Sequence, residues 1–281
     1  KKFRRLHLIP IEGRINIFYP NFFFFLPFYF LLWVWYIIVM KISADLHIHS
    51  TLSPCGSLEM SPRAIVNRAK ELNLDVIAIT DHNSVENSFY AASIGKKLGI
   101  KVVFGMEAQT AEDVHILCYF EIKRDSEKFY SDIYNYLPAI KNNPEYFGDQ
   151  IVVDENDNIV RIEEKLLLNS LDLSISELVD RVKSCNGYVV PAHIESEQFG
   201  LMINLGFVPE ELNNCMFEIS YNADREKVLA KYPELDNFNL ISNSDAHYVR
   251  DIGRVYTIYD VKTPVIKEIY KAGLKGRFEV K

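Results

Sequence analysis

MKISADLHIHS, running from Met40 to Ser50, is the stretch whose reading decides the fold of this chain. Its apolar alternation predicts a strand over 42–49, and residues two apart in a strand face the same side. His47 and His49 therefore project together into one cavity from the strand's carboxyl end. The same arrangement returns further along. ITDHNS places Asp81 and His82 after a predicted strand at 75–80, and GME places Glu107 after one at 101–106. PAH places His193 after 187–192, and SDAH places Asp245 and His247 after 238–243. His115 alone falls nearer the middle of its predicted strand, 113–119. Six of the seven histidines thus sit in short motifs shaped like metal-ligand sites, His7 being the exception. Imidazole is the commonest transition-metal ligand, and carboxylates complete such sites when the chemistry is hydrolytic. A metallohydrolase is expected.

From Met40 onward strands and helices alternate, the pattern of an α/β protein with a mostly parallel sheet or barrel. Further strands are predicted at 215–220 and 254–259. Ser61-Pro62 and Thr263-Pro264 each offer a helix N-cap followed by proline. Ser174 with Glu177 forms a capping box for a helix over 175–185, closed by Gly187, and Gly99 ends a helix that begins near Val85. The ligand motifs fall at carboxyl ends of strands, the edge where barrel enzymes assemble their sites from the following loops. Residues 121–172 interrupt the alternation and read as an insertion. It comprises a tyrosine-rich helix at about 126–141 and a hairpin in IVVDENDNIVRI, residues 151–162.

The 281 residues suffice for one large domain, expected over 40–281. Four scattered cysteines make no CxxC pair and fit reduced thiols in the cytoplasm better than a disulfide framework. Residues 1–40 stand apart: they hold both tryptophans and eight of the 18 phenylalanines, and Ile15 to Met40 carries no charge. This apolar N-terminal extension (1–39) reads as a mis-set start or leader, or as a membrane anchor through residues 15–40, with Met40 resembling a normal start. Taking its five basic and one acidic side chains from the totals of 31 and 38 leaves 26 and 37, a balance of −11. Such a field repels a long phosphate backbone, so extended nucleic acid is not the expected partner. A small phosphorylated ligand held by local cations is compatible with it.

DLHIHS, ITDHNS, GME, the following His115, PAH and SDAH, in that order, resemble the motifs of the polymerase-and-histidinol-phosphatase (PHP) family of metal-dependent phosphoesterases, over about residues 40–257. Any one motif is weak, since HxH also opens amidohydrolase barrels. The ordered set is specific, and Glu107 stands where many amidohydrolases carry a carboxylated lysine. The resemblance implies a distorted, TIM-like (β/α)7 barrel holding two or three divalent metal ions. Imidazole and carboxylate together admit zinc, manganese or iron. Carried over by motif, His47, His49, Glu107 and Asp245 hold a first ion. Glu107, His115 and His193 hold a second, with Glu107 bridging, and His82 and His247 contribute to a third. The family adds an aspartate or histidine in the loop after HxH; this chain reads SPCG there, leaving Cys55 as the nearby candidate. Asp81 is expected either to orient a ligand or bridging water or to cap the next helix. Arg254 is expected either to clamp a phosphate oxygen or to form a surface salt bridge. The implied activity is hydrolysis of a small phosphomonoester by a hydroxide generated at the metals, attacking phosphorus in line. The alternatives are a nuclease or nucleotide phosphatase acting on short substrates, a non-catalytic metal-binding regulatory module, and a membrane-tethered enzyme.

Overall fold

A computed structural model describes residues 39–281. The reading of 1–39 as leader or anchor therefore falls, but for Val39, outside the described residues. Among those described, no helix is long and apolar enough to cross a membrane.

The opening strand forms as β1 (Met40–Ile48), and β2 (Val76–Ile79) and β3 (Lys101–Gln109) align parallel to it. They are connected by α1 (Pro62–Glu71) and α2 (Glu86–Leu98). Ser61 caps α1 through a hydrogen bond from the Ala64 N–H, with Pro62 at the first helical position. The next strand, β4 (His115–Phe120), runs antiparallel to β3. The insertion follows with α3 (Lys123–Ile133), α4 (Pro144–Phe147) and the antiparallel hairpin of β5 (Ile151–Val153) and β6 (Ile159–Ile162). After α5 (Ile175–Ser184), which carries the expected capping box, β7 (Tyr188–Pro191) pairs antiparallel with β4. Beyond α6 (Leu201–Asn204) come β8 (Phe217–Glu218), α7 (Arg225–Lys231) and β9 (Leu240–Ile241), the two strands parallel. The chain ends in β10 (Thr257–Val261), α8 (Ile266–Leu274) and β11 (Phe278–Val280).

The main sheet has the order β11-β10-β1-β2-β3-β4-β7. Past β7, the Ile194 N–H donates to the Glu218 carbonyl at 2.9 Å and carries the ring on to β8 and β9. Ile48 then bridges Ala246 in parallel, and the Leu46 N–H reaches Asn243 Oδ1 at 2.9 Å. The ring thus closes through β1, β2, β3, β4, β7, β8 and β9, a distorted seven-stranded α/β barrel. Its interior is filled by Ile42, Ala44, Leu46, Val76, Ala78, Val103, Leu117, Tyr119, Val190 and Ile241. Two further apolar clusters pack α1 and α2, and then α3 and α5, against its outside.

Several expectations are corrected. β4 runs antiparallel to β3 and starts at residue 115, so His115 begins its strand instead of lying near its middle. The strands predicted at 215–220 and 238–243 shrink to two paired residues each. The strand predicted at 254–259 lies at 257–261 and pairs antiparallel with residues 40–44 of β1, outside the ring. β1 is therefore shared, its first half by β10 and its end by residues 244–246. The tyrosine-rich helix is α3 followed by a 3₁₀ turn over Tyr134–Tyr136, and it goes no further because Leu137, which precedes Pro138, adopts the extended backbone that a following proline demands. Thr263 does not cap α8, whose N-cap is Val265. Asn186, at φ 57°, takes the left-handed turn after α5, while Gly187 allows close approach of the Phe120 ring.

Gly95 lets α2 lie on β3: a Cβ there would stand 2.6 Å from the Ile100 carbonyl oxygen and 2.7 Å from Val102 Cγ2. Replacing an interior helical glycine by alanine normally gains about 1 kcal/mol. Here overpacking against backbone costs about 1–3 kcal/mol and outweighs that gain. Gly95→Ala is expected to lower the urea midpoint of unfolding; a raised midpoint would contradict this packing.

Candidate metal centre

The interior of the barrel turns polar at the carboxyl ends of its strands, and local backbone irregularities decide which side chains enter. Asp45 pairs with Ile77 and Ile48 with Ile79, so Leu46 and His47 together oppose Ala78 alone. This bulge breaks the alternation of β1, a device common beside functional sites. Leu46 and His47 both face the interior, and His49, two residues on, joins them. Glu107 lies on β3 in the same parity as the interior Val103, and His115 on β4 in that of Leu117 and Tyr119. His193 and Asp245 adopt positive φ, 28° and 46°, which re-aims each residue at the end of its strand. Such backbone is unfavourable for residues with a Cβ and persists only where the surroundings hold it.

These side chains meet around Glu107, which is almost wholly buried. Its Oε1 lies 2.8 Å from His115 Nδ1, 3.1 Å from His193 Nε2 and 3.4 Å from His47 Nε2. Its Oε2 lies 3.2 Å from His82 Nδ1 and 3.3 Å from His49 Nε2. Asp245 Oδ1 stands 3.2 Å from His49 Nε2, 3.5 Å from His47 Nε2 and 3.6 Å from His247 Nδ1. Six imidazoles and two carboxylates therefore crowd one end of the barrel. Three sets have ligand atoms mutually within 4.8 Å: His47, His49 and Asp245; His82, Glu107 and His115; and His49, Cys55, His82 and His247. His82 is thus placed with Glu107 and His115 as well as in the outer set, whereas the carried-over ligand pattern put it only in the third site.

Several of the ligand-type side chains have a second partner behind them. Glu218 Oε1 lies 2.9 Å from His47 Nδ1, and its Oε2 accepts a 2.7 Å hydrogen bond from Asn243 Nδ2. His49 Nδ1 lies 3.0 Å from Ser53 Oγ, which donates to Asp81 Oδ1 at 2.7 Å. Asp81 also accepts from the Ser50 N–H and Oγ. It does not cap α2, whose N-cap is Val85. His115 lies under a parallel Phe199 ring at 4.3 Å. Arg254 donates from Nε to the Ser244 carbonyl and from a terminal nitrogen to the Asp245 carbonyl, and it stacks on Tyr221. Its expected surface salt bridge is a long 3.7 Å contact with Asp251. Asp45 holds the same segment from the other side by accepting from the Ser244 and Gly253 N–H groups. Sequence reading missed Glu218. Its signal was an acid inside the strand MFEIS, in phase with the interior Met216.

The electrostatics follow from burial. Burial opposes charge on Glu107, but His115, His47 and His82 hold its carboxyl well below the usual carboxylate range. Burial also opposes charge on His47, yet the Glu218, Glu107 and Asp245 carboxylates hold its pKa well above the ordinary imidazole value. Burial lowers His49 to about 4, helped by neighbouring His247. Burial raises Asp45 to about 6. His47 Nε2, His82 Nδ1 and His115 Nδ1 are buried without a well-formed hydrogen bond, although each faces a carboxylate within 3.5 Å. Buried polar atoms are rarely left so. Nitrogen and carboxylate donors about 3 Å apart with no proton geometry between them suit divalent cations, whose bonds to such atoms are about 2.0–2.2 Å.

A seven-stranded α/β barrel with this cluster at one end defines a metal-dependent hydrolase class of site, and the family can be stated. Residues 45–188 match the PHP domain and residues 231–278 a PHP-associated domain. The chain belongs to the PHP domain family of metal-dependent phosphoesterases. It is similar to the lesion-specific endonuclease PfuEndoQ from Pyrococcus furiosus, with a TM-score of 0.63 and 20% identity over 86% of this chain and 58% of that one. It is also similar to a two-domain protein from Bacteroides vulgatus containing a PHP-like metal-dependent phosphoesterase, with a TM-score of 0.54, 16% identity and coverage of 86% and 65%. Among curated proteins, a PolC-type DNA polymerase III from Lactococcus lactis is 26% identical over 70% of this chain but 13% of its own length. One from Oceanobacillus iheyensis is 38% identical over 30% of this chain and 6% of its own length. The chain thus spans only a small part of these polymerases and just over half of the endonuclease.

Two outcomes are expected. Removing the charge behind His47 by Glu218→Gln should weaken cation binding about 10–100-fold, measured by calorimetry; unchanged affinity in a folded variant would contradict the arrangement. The raised pKa of His47 stabilises the metal-free fold fully below the unfolded value of about 6.5, and that contribution fades as pH rises through the folded value. A cation competes with the same proton. Its binding should therefore tighten as pH rises and release protons, read as a buffer-dependent heat; a buffer-independent heat would count against it.

Proposed function

We propose that this protein is a metal-dependent phosphoesterase acting on a small phosphorylated substrate, with a phosphomonoester as the best-supported class. The observation that carries the reading is the convergence of buried, unpartnered imidazole nitrogens on Glu107. We assign His47, His49 and Asp245 to one cation, Glu107, His82, His115 and His193 to its neighbour, and Cys55 and His247 to the outer edge of the cluster. Zinc, manganese and iron all fit these donors. Bound divalent cations supply an activated water and neutralise charge on phosphoryl oxygens.

The chain's own residues set the stage. Glu107 presents Oε1 to His115, His193 and His47 and Oε2 to His82 and His49, so each oxygen faces both halves of the cluster. Glu218 and Asn243 hold the His47 ring from behind, while Ser53 and Asp81 do the same for His49, which keeps the inward nitrogens free to ligate. Asp81 acts there as a positioning residue. Arg254, with both donating nitrogens on backbone carbonyls, positions Asp245 instead of clamping phosphate. The free state of the four cysteines accords with a cytoplasmic setting.

A second reading is favoured by one neighbour. An endonuclease Q complex carries a 27-mer duplex with an abasic lesion at its active site. A barrel of this kind thus accommodates DNA there, which weakens the expectation that charge alone turns nucleic acid away from this chain.

The test is phosphate release, with strand cleavage followed separately on denaturing gels, by the purified protein loaded in turn with Mn²⁺ and Zn²⁺. Substrates should span histidinol phosphate, nucleoside mono- and bisphosphates, short oligonucleotides and an abasic duplex. Turnover of the small esters that falls at least about 100-fold in Asp245→Ala supports the proposal. Cleavage confined to the oligonucleotides or duplex supports the second reading. Silence across the panel with cations bound would overturn both and leave a binding module.

A further inference from the structure

The outermost of the three ligand sets, His49, Cys55, His82 and His247, differs in chemistry from the others. It contains no carboxylate: its donors are three imidazoles and one sulfur, all within 4.8 Å of one another. Resting on the metal centre proposed above, we infer that Cys55 makes this position a thiolate-ligated site that selects a thiophilic cation over manganese or magnesium.

Three further observations support it. Cys118, Cys185 and Cys215 are buried in the apolar core, whereas Cys55 is exposed on the loop between β1 and α1. Apolar packing therefore accounts for three thiols and not for this one. The loop is also built to hold Cys55 in place. The Gly56 N–H donates to the Ser53 carbonyl at 2.8 Å, and the Ser57 N–H donates to the His247 carbonyl at 2.9 Å, tying the cysteine loop to the loop that carries His247. A Cβ at Gly56 would stand 2.6 Å from the Ser50 carbonyl oxygen, so the turn admits no side chain there. Finally, the buried His82 ring stands between the two groups, its Nδ1 3.2 Å from Glu107 Oε2 and the ring also within the set that contains Cys55.

Sulfur and imidazole together suit zinc, cobalt or ferrous iron, while carboxylate-rich sets suit manganese and magnesium. The inner groups carry Asp245 and Glu107, and the outer group carries only Cys55 as an anionic donor. The cluster is therefore expected to be chemically graded, harder inside and softer at its mouth. Cys55 and His247 are its solvent-facing members, His247 with about a quarter of its side chain exposed, so the outer cation exchanges most readily.

The test uses the full chain loaded with Co²⁺, because a cobalt–thiolate bond gives near-ultraviolet charge-transfer absorption that nitrogen and oxygen ligands do not. Wild type should show the band. Cys55→Ser should lose it while keeping its far-ultraviolet circular dichroism and the visible cobalt absorption of the inner set. Cys55→Asp, loaded from equal Zn²⁺ and Mn²⁺, should raise the manganese-to-zinc ratio in the protein about tenfold or more, measured by elemental analysis. A loaded wild type without the band, or a band that survives in Cys55→Ser, overturns the assignment and leaves the inner centre standing. A chain that takes up no cobalt overturns the metal centre as well.

Discussion

Glu107 is a carboxylate removed from water, and the rest of the site answers that fact. A buried anion is costly unless charge or strong donors surround it. The barrel surrounds this one with five imidazoles drawn from four strand ends, two of them from β1. Without cations, protons shared among the histidines keep the group ionised; with cations, the same nitrogens become ligands. The interior apolar layers below the cluster keep solvent from the far side. Glu218 and Asp45, two further buried acids, act on the periphery by holding ligand-bearing backbone and rings.

Placing so many donors at one edge required departures from regular strands. A seven-stranded ring offers each strand end only one inward position in its natural alternation. The bulge in β1 adds a second inward residue, and left-handed backbone at His193 and Asp245 turns two more donors inward past the last paired residue. The backbone around Asp245 is held on three sides, by Arg254, Asp45 and the Ala246 pairing with β1. Hydrogen bonds from well-packed neighbours thus sustain a conformation that an isolated loop would abandon.

Much of this was legible in the sequence because ligand motifs are local. HxH, TDH and SDAH each announce themselves within a few residues, and their recurrence at strand ends carries the barrel. What was not legible depends on neighbours distant in the chain. Glu218 becomes meaningful only once β8 lies against β7 and its carboxylate reaches His47, 171 positions away. Ser53 belongs to no ligand motif, yet it links His49 to Asp81. The reversal of β4 was hidden because periodicity gives a strand's faces and not its direction. The capping reading failed at Thr263 for a related reason: the residues suit a cap, but the extended backbone at Val265 is where α8 begins.

The reversal of β4 also divides the site by chain distance. Glu107 and His115 sit on one antiparallel pair joined by a short link, so that half can assemble as soon as a local hairpin closes. Asp245 must come from the far end of the chain, nearly two hundred residues after His47, and docks only when residues 243–246 pair with β1. Loop-closure entropy and contact order place that step late in folding. During synthesis, a cation would first meet the hairpin half and the histidines of β1. The complete cluster, with its full charge complement, exists only after the ring has shut.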